Sequence, residues 1–218
     1  MSGETGSTPP ERPVPGPPRG LVLAAGAGRR LGRGPKALLV REDGLTLVES
    51  MVLALLDGGC RDVTVVTGAC SEQVASLLAG CDRVSVAFNP DWSSGMGSSL
   101  RRGLQAIGPG PDVMVTPVDS PGICAAEVAR LIAAHRPRAI TAAGHCDAKS
   151  LHRGHPVLFD ESWTSQAAAA AHGDVGARDL LETHRAVVDL VDCSDLDDGA
   201  DVDVPKDLHR LTVVSSRD

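Results

Sequence analysis

Aromatic side chains are nearly missing: two Trp, two Phe and no Tyr make up 2% of 218 residues. Without rings on which successive bases can stack, a single-strand nucleic-acid platform is excluded. Positive charge is also in deficit, 21 Lys and Arg against 28 Asp and Glu for a net charge of -7. A phosphate backbone repels such a chain, so no nucleic-acid partner is expected. No apolar run nears the ~20 residues that cross a bilayer, and no apolar signal core opens the chain. No membrane partner is therefore expected, and the expected location is the cytoplasm. The six cysteines (60, 70, 81, 124, 146 and 193) form no Cys-x-x-Cys pair. They read as reduced, mostly buried thiols rather than as a disulfide frame or zinc ribbon. What is present is 42% hydrophobic residues, so a substantial core must be built from Val, Leu, Ile and Ala.

Residues 1–19 hold six of the 15 prolines. They offer too little apolar surface to order themselves and read as a disordered Pro-rich tail. From residue 20 to 218 no linker interrupts the pattern, and one domain is expected. Strands are predicted over residues 21–25, 62–67, 83–88, 113–116, 139–143, 156–159 and 186–191. Helices are predicted over 46–56, 71–78, up to residue 107 from a glycine-serine turn at 95, and over 125–134, 162–171 and 175–182. A last helix is expected from Pro205. Thr46 with Glu49 three residues on is a capping box. A loop rich in His, Gly and Lys is expected ahead of Pro156. Repeated strand–helix alternation gives a parallel or mixed sheet covered on both faces.

The first strand runs into Gly26-Ala27-Gly28-Arg29-Arg30-Leu31-Gly32-Arg33-Gly34-Pro35-Lys36, four positive charges within eight residues. Glycines let backbone N–H groups approach a bulky anion, and the basic side chains neutralise it. The loop is no Walker motif, because Lys36 follows Pro35 and precedes Ala37. It is no dinucleotide fingerprint either, because Leu31 stands where a small residue is required. A dehydrogenase is accordingly a remote alternative. A second candidate is Asn89-Pro90-Asp91-Trp92-Ser93-Ser94-Gly95-Met96-Gly97-Ser98-Ser99-Leu100, after the third strand and at a helix start, where free N–H donors and hydroxyls suit a base edge, ribose or phosphate. A third is Asp119, held between Pro117 and Pro121 as a carboxylate suited to Mg2+. A fourth is Asp201-Val202-Asp203, whose alternation turns both acids to one side. His145, Cys146, Asp147, His152 and His155 match no zinc-ligand spacing. Lys149, Arg153, Gly154 and His155 read instead as a flexible loop facing an anionic acceptor. Basic glycine loop, helix-start donors and rigid acids together are the equipment for moving a phosphoryl or nucleotidyl group with Mg2+.

Leu23-Ala24-Ala25-Gly26, Arg30-Leu31-Gly32 and Lys36 resemble the first motif of the MobA-like nucleotidyltransferases. The stretches 95–100, 119–121, 154–159, 173–178 and 201–208 resemble that family's later motifs, in order. The stretches 95–100 and 154–159 are similar to the molybdenum cofactor cytidylyltransferase branch. The usual Ser of the first loop is Gly28 here, and the usual Met between Asp119 and Pro121 is Ser120. The resemblance implies a Rossmann-like three-layer α/β/α fold of the nucleotide-diphospho-sugar transferase type, with a mostly parallel sheet. It implies transfer of NMP from an NTP, CTP in that branch, to a phosphorylated acceptor such as molybdopterin, with loss of pyrophosphate. Arg30 and Lys36 would grip the triphosphate. Asp119 and Asp203 would hold Mg2+, helped by Asp201. Ala24, Ala25, Gly26, Gly28, Gly68, Ser98 and Ser99 would form the nucleotide site, and Arg153, Gly154 and His155 the acceptor site. The alternatives are another NTP with another phosphorylated acceptor, or a non-catalytic nucleotide-binding partner of a molybdoenzyme maturation protein.

Overall fold

Alternation of apolar side chains along each short strand divides the core between two faces of one sheet. The computed structural model describes residues 16–147 and 150–211. The elements are β1 (Arg19–Ala24), α1 (Leu47–Asp57), β2 (Val63–Thr67), α2 (Ser71–Leu77), β3 (Val84–Phe88), α3 (Met96–Ile107), β4 (Val113–Pro117), α4 (Ala125–Ala134), β5 (Ile140–Cys146), β6 (Leu151–Phe159), α5 (Glu161–Ala170), α6 (Arg178–Thr183) and β7 (Val188–Asp192). The strands make one seven-stranded sheet in the order β3-β2-β1-β4-β6-β5-β7. All neighbours are parallel except those of β6, which runs against β4 and β5.

Val22, Val63, Val65 and Met114 face α1 and α4 and pack with Leu47, Met51, Leu55, Val128 and Leu131. Their chain neighbours Leu21, Val66, Val113 and Val115 face the other way, onto Leu100, Leu104 and Ile107 of α3 and Ala167 of α5. Residues one apart on a strand point to opposite faces, so each central strand feeds both cores and the sheet is sandwiched between helices. The capping box at Thr46 forms as expected: Glu49 N–H donates to the Thr46 hydroxyl at 3.4 Å, and Thr46 N–H donates to Glu49 at 2.8 Å. The strand order turns back at β1, flanked by β2 and β4, and the crevice at the carboxyl ends of β1 and β4 is where an open α/β sheet takes ligands.

Three local expectations are corrected. The loop expected ahead of Pro156 is instead a hairpin arm, since β6 already begins at Leu151 and pairs Cys146↔Leu151 and His145↔His152. The arm is held by backbone pairing rather than by an apolar face, so no hydrophobic alternation signals it. Arg153, Gly154 and His155 are therefore strand residues. The segment from Pro205 is a 3-10 helix, Pro205–Leu211, with no buried residue to propagate it as an α-helix. The helix expected from residue 175 starts at Arg178. Of the expected tail, residues 1–15 lie outside the described residues, and Arg19 belongs to β1. Lys149 also lies outside them.

Candidate active site

At the end of β1 the chain leaves the sheet at Ala25 and folds into a tight loop. Leu31 N–H and Gly32 N–H both donate to Gly28 O at 3.2 Å. Gly28 adopts φ +63°, and a Cβ there would fall on the carbonyl oxygen of Gly34, so the position tolerates no side chain. Leu31 is 1% exposed and anchors the loop from below. The loop then enters a 3-10 helix, Lys36–Leu38, pinned by Ala37 at 1% exposure. These two anchors turn Lys36 back over the ends of β1 and β4.

The Lys36 ammonium donates to Asp119 Oδ2 at 2.8 Å and to Asp203 Oδ1 at 2.7 Å. Asp119 lies just beyond β4. Asp203 arrives from the other end of the chain because Val202 is fully buried and its N–H donates to Asp119 O at 2.9 Å. With Val202 facing inward, Asp201 and Asp203 face the crevice together. Asp207 accepts from the N–H groups of Asp203 (3.1 Å) and Val204 (3.0 Å) and fixes this turn. Arg30 reaches Asp203 Oδ1 at 3.5 Å from a side chain that is 80% exposed.

The electrostatics follow from this arrangement. The hydrogen bond from Lys36 holds the Asp203 carboxyl below the usual carboxylate range. Burial pulls the Lys36 amine down, but Asp119 and Asp203 outweigh it and the net shift is upward. Asp201 is exposed as a residue, yet its carboxyl is tucked against Ser120, whose hydroxyl donates to Oδ1 at 2.6 Å. That desolvation, with the Asp119 carboxylate beside it, pushes Asp201 up to about 6. Burial draws the His155 imidazole down to about 4.

A pocket of about 390 Å3 opens beside the acids, lined by Ala25, Gly26, Gly28, Arg29, Arg30, Lys36, Ser99 and Asp119 among others. Seven residues expected at the site, Ala25, Gly26, Gly28, Arg30, Lys36, Ser99 and Asp119, thus share one cavity wall. Ala24 does not line it; it is 5% exposed and paired in the sheet. Gly68 lies under Trp92, and the Ser98 hydroxyl is held by Asn89 Nδ2 at 2.9 Å and bonds Gly95 O at 2.9 Å and Asp91 O at 3.0 Å. Arg153 pairs with Glu182 at 3.7 Å. Gly154 packs against the ring of His145. Trp92 and Met96, both in the candidate stretch 89–100, and Asp174 also line the pocket. For Asp174 the available signal was the Gly173-Asp174-Val175-Gly176 turn, whose Gly173 O accepts from Gly97 N–H at 2.8 Å.

The residues present suit a divalent cation. One ammonium already sits within hydrogen-bond distance of an oxygen from each of Asp119 and Asp203, so the two acids converge on one positively charged point. A cation between acids, beside a glycine loop with guanidinium and ammonium groups, can neutralise phosphate oxygens during in-line transfer.

Residues 20–188 match the MobA-like NTP transferase domain. A curated relative named nicotine blue oxidoreductase, from Paenarthrobacter nicotinovorans, is 43% identical over 195 residues, covering 88% of this chain and 95% of the relative. Among solved structures, an Rv0371c homologue from Mycobacterium sp. strain JC1 is 30% identical with a TM-score of 0.71, over 88% of this chain and 93% of that one. Rv0371c of Mycobacterium tuberculosis H37Rv in complex with manganese is 26% identical with a TM-score of 0.69, over 88% and 96%. A nucleotidyl transferase from Methanothermobacter thermautotroptrophicus, 22% identical with a TM-score of 0.73 over 88% and 94%, shares the fold. With its sheet order, its basic glycine loop and this match over 20–188, the chain belongs to the MobA-like NTP transferases, a family of nucleotidyltransferases.

Proposed function

We propose that residues 20–218 act in the cytoplasm as a single-domain, Mg2+-dependent cytidylyltransferase that moves CMP from CTP to the phosphate of molybdopterin and releases pyrophosphate. The observation that carries this reading is the meeting of Lys36, Asp119 and Asp203 beside the glycine-loop pocket. The backbone of Gly26 and Gly28, with the Ser99 hydroxyl, receives the nucleotide, and Arg30 and Lys36 pair with its triphosphate. Asp119 and Asp203, with Asp201 beside them, would hold the metal, which would supply positive charge against the phosphates that must approach each other. The Lys36 ammonium stabilises the α-phosphate and the leaving pyrophosphate. The acceptor phosphate enters from the β6 side, where His155 is kept neutral by its burial and Arg153 supplies a positive charge. No covalent enzyme intermediate is required.

The test is pyrophosphate release with each NTP in turn, Mg2+ and molybdopterin. Release with CTP and molybdopterin is expected. Release only with another NTP or another phosphorylated acceptor supports the alternative transferase, and nucleotide binding without release supports a non-catalytic partner of molybdoenzyme maturation.

The name of the 43%-identical relative favours one second reading, a redox enzyme acting on a dye of the nicotine blue kind. Against it stands the first loop, where Leu31 is buried at the position a dinucleotide loop keeps small. Oxidation of a reduced nicotinamide in the presence of nicotine blue would establish that reading, and a fluorescence titration showing no nicotinamide binding would remove it.

A further inference from the structure

We infer that Glu127, His145 and Asp197 form a second, buried site for a divalent transition-metal ion of the zinc type, behind the loop that carries Asp201 and Asp203. This inference goes beyond nucleotidyl transfer and does not depend on it. Glu127 lies on α4 and is fully buried, His145 at the outer end of β5 is 6% exposed, and Asp197 comes from the acidic loop after β7. One donor atom from each lies within 4.8 Å of the others, and His145 Nε2 is 3.1 Å from Glu127 Oε1. Ligands about 2.0–2.2 Å from a tetrahedral zinc ion stand about 3.3–3.6 Å apart; the His145–Glu127 pair is already that close, and the Asp197 oxygen has to draw in by no more than about 1.5 Å.

A second observation points to a ligand. Glu127 Oε2 and Asp197 Oδ2 are both buried without a hydrogen-bond partner. Two carboxyl groups thus share one buried spot with a single imidazole, and burial disfavours charge on them unless a cation compensates it. Burial, then the Asp197 carboxylate, pushes Glu127 up to about 8. The Arg130 guanidinium is turned outward to Asp192 O at 2.9 Å and to Asp195 at 2.5 and 2.9 Å. The chain also makes room for the cluster: a Cβ on Gly122 would fall on Asp197 Oδ1, and one on Gly199 on His145 Nδ1. The donors select the ion. Mg2+ prefers an all-oxygen shell, whereas an imidazole with two carboxylates, and the Cys193 thiol facing Glu127, suits Zn2+ or Co2+. The other His–acid group, Asp112, His135 and Asp160, differs: Asp112 and Asp160 accept the backbone N–H groups of Glu161, Ser162 and Arg138. An ion at Asp197 would tie the acidic loop to α4 and β5, only four residues ahead of Asp201.

The full chain, stripped with a chelator and returned to excess Mg2+, is titrated with Zn2+ and with Co2+, following bound metal and the visible Co2+ spectrum. Wild type should take up one equivalent, and Tm should rise with Zn2+. Glu127→Gln and Asp197→Asn should bind at least ~100-fold more weakly, since each loses a metal ligand. Asp119→Asn and Asp203→Asn should bind as wild type does. The inference is overturned if the wild-type chain takes up no Zn2+ above Mg2+. It is equally overturned if Glu127→Gln binds as tightly as wild type, or if Asp119→Asn abolishes uptake, which would move the ion to the first site.

Discussion

Replacing Lys36 by Met removes one positive charge from between two carboxylates while keeping the bulk of the side chain. Lys36 is 14% exposed at its side chain, Asp119 22% and Asp203 43%. The half-shielded bond to Asp119 contributes about 2 kcal/mol, as charge-assisted bonds do. The bond to Asp203, more than a third exposed, counts as a surface pair of at most ~1 kcal/mol. Lys36→Met should thus lose about 2–3 kcal/mol, a fall in Tm of roughly 5–10 °C for a domain of this size. The same variant should be rescued by Mg2+, because a cation at 100 times its Kd contributes ~2.7 kcal/mol. Wild type, whose lysine already fills the spot, should gain less. The pH dependence follows from the shift directions. Asp203 is depressed, so its share is present above the unfolded carboxylate pKa and is lost as pH falls through the folded value. Lys36 is raised, so its share is present below 10.5 and is lost as pH rises through the folded value. The gap between variant and wild type should therefore be flat across neutral pH and close in acid. The assay is thermal unfolding in chelator and in Mg2+ from pH 3 to 9. Equal Tm values for the two chains in chelator would refute the reasoning, as would an equal Mg2+ gain in both.

Three further outcomes are expected. Burial, then the Asp119 carboxylate, pushes Asp201 up to about 6, so the folded chain favours its neutral form, and that advantage, present below the unfolded pKa, is lost as pH rises through the folded value. Asp201→Asn should then be the more stable chain at pH 8, by about 1 kcal/mol after allowance for solvent screening, read from urea midpoints. Asn89 is 2% exposed and donates to the hydroxyls of Ser98 (2.9 Å) and Ser99 (3.1 Å). Asn89→Ala should cost ~2 kcal/mol by chemical denaturation, and it should raise the nucleotide KM through displacement of Ser99. Gly28→Ala, which drives a methyl into the Gly34 carbonyl, should lower kcat/KM with NTP at least ~100-fold through a displaced loop, while circular dichroism stays that of wild type.

The half of the fold up to β4 is legible in the sequence because its signals are local. Short apolar runs, a capping box at Thr46 and Gly58-Gly59 after α1 each mark an element within a few residues. The β5–β6 arm is legible only at its base, residues 139–143 and 156–159; beyond it, Leu151, His152 and Arg153 are held by pairing with Cys146, His145 and Gly144, where no hydrophobic alternation marks a strand. For the site, residue types and their alternation single out Lys36, Asp119 and Asp203. That one ammonium bridges both acids is a contact over 83 and 167 positions and has no local trace. Ser98 and Ser99 look equivalent in sequence, and only helix phase turns Ser99 to the pocket while Ser98 closes on Asp91 and Gly95. Glu127 reads as an ordinary first-turn acid favoured by the helix dipole. Its complete burial comes from the packing of α4 under the acidic loop, which the sequence does not display.

The most direct test of nucleotidyl transfer at the acids beside Lys36 sets wild type against Asp119→Asn. Both chains are given CTP, Mg2+ and molybdopterin, and pyrophosphate release is followed together with the mass of the acceptor. Wild type should release pyrophosphate as the acceptor gains one CMP, and Asp119→Asn should be at least ~1,000-fold slower, as expected when charge stabilisation at the reacting phosphate is lost. Equal rates in the two chains, or pyrophosphate released with no nucleotide added to the acceptor, would contradict the account.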